Sequence, residues 1–437
     1  MAIILKPSLL LRRVLELQPD HVEALSLLGN LLQLSKRLPE AETFYRSALK
    51  QEPGLVKAYN NLALLLVATK RLSEAETFYR RALELKPDYA DAHCNLGALL
   101  VVTAQLSEAE ICYRHAIELQ RDYPEANFNL GILLLSLGRY TEAWPYYEYR
   151  YNPNLKDSAI KIPELTYPQW QGESLVGKSL LIWHEQGFGD CIQFVRYAPL
   201  LKERGVSCLT LACIQPLKTL LETVAGVDAV IADVEAIAPH DYWVFTLSLP
   251  LHFGTGLDTI PGTCYLHALP AREELWRERL QKENFKVGLA WKGNADNKND
   301  ANRSLPGLTT LAPLWFIPEV SFISLQKGQG EDEANNPPKD QPIISLGSEI
   351  GDFADSAAIV EQLDMVICVD TSIAHLAGAM NKPCWVLLPA MGTDWRWLRD
   401  CEDSPWYPSM RLFRQKVAGK WDEPVERIRQ ALAACIT

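Results

Sequence analysis

The chain lacks an excess of positive charge, and this absence limits its partners. Its 437 residues carry 43 Lys and Arg against 54 Asp and Glu, a formal net charge of −11. Residues 161–437 hold most of the imbalance, with 25 basic and 35 acidic side chains. A broad nucleic-acid or anionic-membrane surface needs Lys and Arg to neutralise phosphates. The composition therefore argues against both partners, while a small anionic ligand in one basic pocket stays compatible with it.

The chain also has no Cys-x-x-Cys pair, no signal-peptide pattern in its first residues and no long apolar run. Its ten cysteines form no Cys-x-x-Cys pair and have no histidine at zinc-ligand spacing. The start, "MAIILKPSLLLRR", does not have the pattern of a signal peptide, and no apolar stretch approaches the roughly 18 residues of a membrane span. We expect a cytoplasmic chain of two or three globular domains, with buried free thiols and no membrane span.

A 34-residue period dominates the first third. Four residue types recur in fixed phase: Gly29, Ala63, Gly97 and Gly131; Ala41, Ala75, Ala109 and Ala143; Tyr45, Tyr79, Tyr113 and Tyr147; Pro19, Pro53 and Pro87. Small residues let two helices approach closely, tyrosines fill the space between them, and proline ends the second helix. This pattern resembles the tetratricopeptide repeat.

The period predicts an α-solenoid over residues 1–157. Full repeats occupy 22–55, 56–89 and 90–123, and a degenerate one follows from 124. In that last part, Arg121 and Arg150 replace the expected proline and alanine. Residues 5–19 resemble the second helix of a further repeat, so we expect more repeats in a longer form.

A row of asparagines keeps the same phase: Asn61, Asn95 and Asn129. A carboxamide both donates and accepts, so such a row could clamp the backbone of an acceptor peptide. The repeats of the protein O-GlcNAc transferases use a similar asparagine ladder. The alternative is that these side chains hydrogen-bond within the array, and the sequence leaves both open.

From about residue 167 the pattern changes to α/β. Short apolar runs alternate with helical segments: "SLLIW", "SCLTLAC", "VDAVIA", "DYWVF", "KVGLAW", "SFISL", "PIISL", "MVICVD" and "CWVLL". Such runs are typical of buried parallel strands in doubly wound folds. We predict a linker at 158–178, two Rossmann-like domains at 179–270 and 284–420, and a closing helix at 421–437.

The first strand is followed by "HEQGFGD", which ends at Asp190. Gly187 and Gly189 match two positions of a dinucleotide fingerprint, but Ile192 occupies the third. A phosphate loop also fails, because neither Lys nor Ser/Thr follows the glycines. Asp190 stands at the start of the predicted helix "CIQFVRYAPLLKER", where helix capping is the alternative to a functional role.

A second group of polar residues lies in "VICVDTSIAHLAGAMNKPCWVLL" (366–388). This stretch predicts a strand, Asp370, a helix and another strand. Thr371 and Ser372 open the helix, so their amides form a candidate anion site beyond the end of the strand. His375 lies on the same helical face as Thr371, and the alternative for it is a packing histidine.

These motifs resemble the ADP-heptose heptosyltransferases of glycosyltransferase family 9. The nucleotide-sugar motif corresponds to Asp370–Ala379, and the Gly-Asp pair that carries the proposed catalytic base corresponds to Gly189 and Asp190. Together with "AWKGN", "RSLPGL", "SLQKG", "DWRW" and "SPWYP", they resemble a bacterial subgroup that fuses tetratricopeptide repeats to this domain. The resemblance implies a GT-B fold with an interdomain cleft. Ser372 replaces a common glycine of the motif, which leaves the donor sugar and base open.

Glycosyl transfer needs a base on the acceptor hydroxyl and positive charge beside the departing diphosphate. Asp190 is the candidate base, with His184 and Glu185 as alternatives. Lys292 and Arg303 flank a polar loop and are candidates for the diphosphate, with ordinary surface charge as the alternative. Further candidate donor-site residues are Gly187, Gly189, Asn294, Gln326, Lys327, Asp370, Thr371, Ser372 and His375.

We therefore expect an inverting glycosyltransferase that uses a nucleotide sugar as co-substrate and has no other cofactor. The chain has no Asp-x-Asp pair for a divalent metal. The repeats would recruit a protein, peptide or glycan acceptor or mediate self-association. Two alternatives remain: an interaction scaffold with a non-catalytic nucleotide-binding half, and a sugar-nucleotide epimerase on the same fold. The aromatic segments "DWRW" and "SPWYP" could stack on a ligand or pack in the core.

Overall fold

In a computed structural model, residues 2–156, 160–233, 237–262, 264–280 and 284–436 are described. The chain forms two compact units. Unit 1 comprises 1–133 and 145–158, and unit 2 comprises 134–144 and 159–437. The predicted boundary at 157/158 lies outside the described residues. Six of the ten cysteines are buried and all are free, while Cys208, Cys264 and Cys435 are exposed.

Helical pairs of the predicted period build unit 1. The helices are α1 (Ala2–Leu17), α2 (Val22–Leu34), α3 (Leu38–Gln51), α4 (Val56–Ala68), α5 (Leu72–Leu85), α6 (Ala90–Val102), α7 (Leu106–Leu119), α8 (Pro124–Ser136) and α9 (Tyr140–Tyr147). α8 and α9 continue into residues of unit 2.

The in-phase small residues explain how the helices of one repeat pack. A Cβ added to Gly29 would lie 2.7 Å from the Tyr45 ring, and one added to Gly97 would lie 2.8 Å from the Tyr113 ring. These tyrosines are buried between the two helices of their repeats. The predicted packing, in which the tyrosine ring fills the space beside the small residue, is confirmed.

Unit 2 contains two parallel sheets. The strands are β1 (Ser179–Trp183), β2 (Cys208–Ala212), β3 (Ala229–Ile231), β4 (Tyr242–Phe245), β5 (Phe285–Ala290), β6 (Val320–Ser324), β7 (Ile344–Ser345), β8 (Met365–Val369), β9 (Cys384–Leu388) and β10 (Met410–Arg414). The first sheet has the order β3-β2-β1-β4 and the second β10-β9-β8-β5-β6-β7. All nine predicted strands are present. The edge strand β10 was missed, because "MRLFR" carries two arginines in five residues.

Helices cover these sheets. They are α10 (Phe188–Phe194), α11 (Ala198–Glu203), α12 (Lys218–Leu221), α13 (Leu249–Phe253), α14 (Pro270–Arg277), α15 (Asp300–Arg303), α16 (Glu331–Asn335), α17 (Phe353–Glu361), α18 (Ser372–Ala379) and α19 (Asp422–Ile436). The predicted closing helix is α19, whose Val425, Ile428 and Leu432 are buried in the core of the second sheet.

The helix predicted after Asp190 differs from the observed one. The observed helix α10 begins at Phe188 and includes Asp190, and a 3-10 turn at 195–197 separates it from α11. Pro199 stands near the start of α11, where its missing N–H costs nothing, so the chain restarts a helix there instead of continuing one.

Residues 134–144 supply aromatic side chains to unit 2. The Trp144 indole N–H donates to the Thr255 carbonyl at 2.8 Å, and the Trp406 indole donates to the Tyr140 hydroxyl at 2.9 Å. Trp395 packs edge-on against both Tyr140 and Trp144. The end of the fourth repeat thus forms part of the α/β core. Among the described residues, no helix is long and apolar enough to cross a membrane.

Candidate active site

The strand orders select two places in unit 2 for a ligand. In each sheet the chain reverses direction of winding beside its first strand, between β1 and β4 and between β5 and β8. In open parallel sheets, ligands bind outside the carboxyl ends of the strands at such switch points. Residues 184–190 follow β1, residues 291–294 follow β5, and Asp370 follows β8. Most of the predicted site residues therefore stand at these two positions.

The two positions meet through α10 and α18. A Cβ added to Gly189 would lie 2.6 Å from His375 Cδ2, which shows how closely the backbone of α10 approaches that ring. Phe188 also packs on Phe353 of α17, with ring centroids 5.0 Å apart. Asp190 and His375, which are 185 positions apart in the sequence, thus belong to one polar cluster.

Asp190 is held at both carboxylate oxygens. As the third residue of α10, it accepts the Gly187 N–H at 2.8 Å through Oδ2, which is the helix-start contact expected of a capping aspartate. Its Oδ1 accepts a hydrogen bond from the Arg396 guanidinium. Its side chain is 16% exposed. The capping contact is therefore present, and a functional role of Asp190 stays a prediction.

Arg396 is the residue that the sequence reasoning missed as part of the site. Its Nε donates to Gln193 Oε1 at 2.6 Å, and its Nη1 lies 3.0 Å from both oxygens of Asp394. The residue is only 5% exposed. The signal available was "DWRW", which contributed to the family resemblance but was assigned no role beyond its aromatic side chains, because nothing local connects it to Asp190.

Burial raises the pKa of Asp190, since a carboxylate loses hydration in the interior. The Arg396 charge opposes this increase, and the Asp394 charge adds to it. A carboxyl group whose pKa is raised toward neutrality is a stronger base than an ordinary aspartate. The environment thus counteracts the helix terminus, which by itself would stabilise the carboxylate.

His375 is a buried, neutral imidazole. Its Nδ1 is hydrogen-bonded to the Tyr407 hydroxyl at 3.0 Å, and its ring lies 5.4 Å from that of Trp397. Burial lowers the pKa of His375 well below its usual range, and the charges of Arg396, Arg196 and Arg303 lower it further. At neutral pH the ring can therefore donate or accept a hydrogen bond without carrying charge.

Asp370 follows β8 at the start of the α18 turn. Burial raises its pKa to about 6, Asp394 contributes to the rise, and Arg303 opposes it. Thr371 caps α18, because its hydroxyl accepts the Ile373 N–H at 3.0 Å, and Ser372 is the first helical residue. Three carboxylates and two arginines thus influence one another across this end of the sheet.

The two predicted diphosphate cations lie in different surroundings. Arg303, in α15, lies 3.5 Å from Asp300, and its charge lowers the pKa of both Asp370 and His375. Lys292 turns elsewhere: its ammonium donates to the Pro306 carbonyl at 2.9 Å and lies 3.5 Å from Glu333. The structure therefore brings Arg303, but not Lys292, into the electrostatic cluster around Asp370.

Three further candidates on this side make internal hydrogen bonds. Gln326 Oε1 accepts the N–H groups of Trp291 and Lys292 at 2.9 Å each, and its Nε2 donates to the Lys292 carbonyl at 3.1 Å. The Lys327 ammonium donates to two carbonyls of the 347–350 loop. Asn294 Oδ1 accepts a local N–H at 3.0 Å. These residues fix the loops that follow β5 and β6.

The alternative bases lie beside β1. Glu185 Oε1 accepts the Leu247 N–H at 2.8 Å and so links the ends of β1 and β4. His184 stacks on Trp183, and burial lowers its pKa. Neither contact reaches the Asp370 group.

The asparagine row in unit 1 hydrogen-bonds along the array. Asn61 Nδ2 donates to Asn30 Oδ1 at 2.8 Å, and Asn95 Nδ2 donates to Asn60 Oδ1 at 2.9 Å. Asn129 is half-buried beside the Cys94 thiol, whose pKa burial raises to about 12. The internal-bonding alternative thus has direct contacts behind it, while all three side chains stay partly accessible.

No group of three or more His, Cys, Asp or Glu side chains within the described ranges is arranged to hold a metal ion.

Comparison with known proteins first defines the class of unit 1. Tetratricopeptide-repeat family profiles match residues 20–88, 90–123 and 112–144. The N-terminal region is thus a tetratricopeptide-repeat solenoid. The predicted repeat architecture is confirmed, and an α/β region with parallel sheets follows it.

Particular relatives follow from the same comparisons. The chain is 30% identical over 321 residues to Protein FlbA of Caulobacter vibrioides, covering 66% of this chain and 52% of that protein. The chain thus spans about half the length of this curated relative. Solved structures similar to this chain include TTC0263 of Thermus thermophilus, which is 25% identical with a TM-score of 0.31 and covers 34% of this chain and 82% of that one. Another is pilF of Pseudomonas aeruginosa, which is 26% identical with a TM-score of 0.30 and covers 32% of this chain and 64% of that one.

Proposed function

We propose that the chain is a glycosyltransferase of GT-B architecture, with unit 2 as the transferase and the repeats as the acceptor scaffold. The observation that carries the proposal is the close approach of two switch points: Gly189, which precedes Asp190 after the first sheet, lies against the His375 ring of the second. The resemblance of both motifs to family 9 transferases supports the same assignment. A nucleotide sugar would bind at the ends of β5 and β8, and an acceptor would bind on the side of β1.

The chemistry follows from the polar groups present. Asp190 takes the proton of an acceptor hydroxyl while the oxygen of that hydroxyl bonds to the anomeric carbon. The bond from that carbon to the diphosphate breaks, and a nucleoside diphosphate leaves. Arg303 and the amides at the start of α18 stabilise the departing charge. Attack opposite the leaving group inverts the anomeric centre.

A thermal-shift screen against ADP-, GDP-, UDP- and dTDP-sugars tests the donor class. A ligand that binds the folded state raises its melting temperature by mass action, with about 2.7 kcal/mol at a concentration 100 times its Kd. We expect stabilisation by one nucleotide class and release of the matching nucleoside diphosphate when an acceptor is present. No stabilisation by any of the four would contradict the proposal.

The Asp190→Asn variant then tests the base. The amide keeps the shape but cannot take a proton, so we expect normal donor binding and a loss of transfer of about two orders of magnitude or more. Near-normal turnover would restrict Asp190 to its capping role.

One observation favours a second candidate, a nucleotide-binding interaction scaffold without turnover. Both oxygens of Asp190 already accept hydrogen bonds, from Gly187 and from Arg396. In that case the same screen would show nucleotide stabilisation, but the wild-type chain would neither transfer nor hydrolyse the sugar.

A further inference from the structure

We infer that Arg396 is a positioning residue of the proposed transferase: it holds the Asp190 carboxylate in place across the two halves of unit 2. The inference rests on the proposed function, and it assigns a role to a residue outside the Gly189–Asp190 pair and the Asp370–Ala379 motif. Arg396 lies in the segment after β9, whereas Asp190 lies in α10 after β1.

Contacts with three side chains hold the Arg396 guanidinium in one orientation. Its three nitrogens are directed at three different side chains: Nε at Gln193, Nη1 at Asp394 and Nη2 at Asp190. Gln193 and Asp190 are one turn apart on α10, so Arg396 donates hydrogen bonds to two side chains on the same face of that helix. A planar fork can do this, whereas the point charge of a lysine cannot.

The segment that carries Arg396 is itself fixed. Asp394 Oδ1 accepts the backbone N–H of Arg396 at 3.0 Å, which closes a short turn at 395–397. The neighbouring Trp395 packs edge-on against Tyr140 and Trp144, and the guanidinium lies 4.5 Å from the centre of the Trp395 ring. An arginine fixed by its backbone, its ring neighbour and three acceptors has little freedom left to move away from Asp190.

Arg396 also sets the charge balance around Asp190. The charged groups that act on this carboxylate are Arg396 and Asp394 from the 394–397 segment; Cys191 follows it in α10, and the His375 ring of α18 lies against the preceding Gly189. His375 is neutral, so Arg396 is the cation that offsets the nearby acids. Removing its charge should raise the pKa of Asp190, because an opposite charge at contact distance favours the ionised carboxylate.

The experiment compares R396Q and R396K with the wild-type full chain by two measurements. The first is a ¹³C NMR titration of Asp-labelled protein, in which the Asp190 signal is identified by its loss in D190N. The second is the pH dependence of transfer with the donor found in the nucleotide-sugar screen. K178Q is the matched control, because its ion pair with Asp241 (3.0 Å) lies at the opposite, amino-terminal ends of β1 and β4.

For R396Q we expect the Asp190 titration and the acidic limb of the rate profile to move to higher pH together. For R396K we expect both midpoints to stay near the wild-type values while turnover falls by about a hundredfold, since the charge remains and the geometry does not. K178Q should match the wild type. Far-UV circular dichroism establishes that each variant is folded, and R396K decides the matter if R396Q is not.

Two results would overturn the inference: an unchanged Asp190 midpoint in R396Q, or wild-type turnover in R396K. A third result separates the inference from its basis. If the Asp190 signal moves in R396Q but the wild type transfers no sugar, the ion pair stands and the proposed transferase function fails, and with it the catalytic meaning of the pair.

Discussion

Replacing Gly189 by alanine should destabilise unit 2 through a single contact. The new Cβ would lie 2.6 Å from His375 Cδ2 and 3.2 Å from His375 Nε2, distances that real Cβ atoms rarely or never show. The imidazole cannot swing aside freely, because it is 7% exposed, bonded to the Tyr407 hydroxyl and packed on Trp397. The strain must therefore spread into α10, α18 or both.

Two opposing effects set the magnitude. Overpacking a filled site costs about 1–3 kcal/mol. Alanine in place of glycine within a helix returns up to about 1 kcal/mol, because its backbone is less free when unfolded. Since the ring is clamped, we expect a net loss of about 1–2 kcal/mol. At about 2–4 °C per kcal/mol for a large domain, the melting temperature of unit 2 should fall by about 2–8 °C.

Differential scanning fluorimetry of four variants tests this account: Gly189→Ala, Gly187→Ala, His375→Ala and the double variant Gly189→Ala/His375→Ala. Gly187→Ala is the neighbouring control, because its Cβ would meet only Asp190 Oδ2 at 3.5 Å, an ordinary contact, and its φ of −77° suits alanine. In a His375→Ala background the clash is gone, so Gly189→Ala should cost about 1–3 kcal/mol less than in the wild type. A Gly189→Ala variant as stable as Gly187→Ala, or an equal cost in both backgrounds, would refute the reasoning.

Three further predictions follow from the same contacts. Arg303→Ala should weaken binding of a nucleoside diphosphate about tenfold or more and should change binding of the nucleoside little. Lys292→Ala should have the smaller effect, because the Lys292 ammonium is held by Pro306 and Glu333. Calorimetry with both ligands checks this, and equal losses for both ligands would argue against a phosphate contact. The stability that Asp370 contributes is fully present below the unfolded pKa of about 4 and is lost as the pH rises through about 6. Asp370→Asn should therefore gain stability over the wild type across that interval. Urea unfolding between pH 4 and 8 measures the free energy of unfolding of both proteins, and a difference between them that does not change with pH would contradict the raised pKa. Trp144→Ala should cost unit 2 about 3–5 kcal/mol, whereas Trp144→Phe should cost much less, because Trp144 is 1% exposed and packs on Trp395; unchanged melting of the alanine variant would show that residues 134–144 are not part of that core.

The repeat region could be predicted almost completely from the sequence. Each repeat buries its tyrosine against a small residue of its own helix pair, as Tyr45 does against Gly29, so the contacts that define the fold recur at a fixed short spacing. The strands of unit 2 were predictable for a related reason. A strand buried on both faces must be apolar along its length, and such runs are visible without knowledge of the neighbours. β10 escaped because its two arginines break that pattern.

The motifs at the switch points could also be predicted, but their partners could not. Asp190 and Asp370 each stand directly after a strand, which is a local property of the chain. Arg396, which binds Asp190 and Gln193, is more than 200 residues away from both in the sequence. No spacing rule connects side chains so far apart, and only the packing of α10 against the second sheet brings them together.

The sequence by itself thus determined the two architectures and the residues at the strand ends, because periodicity and burial act over a few neighbouring residues. The tertiary structure decided which of those residues share one environment. It grouped Arg303 with Asp370 and turned Lys292 toward Glu333, and it made residues 134–144 part of the α/β core. The physical reason is that charge and close packing depend on distance in space, which the order of residues along the chain does not specify.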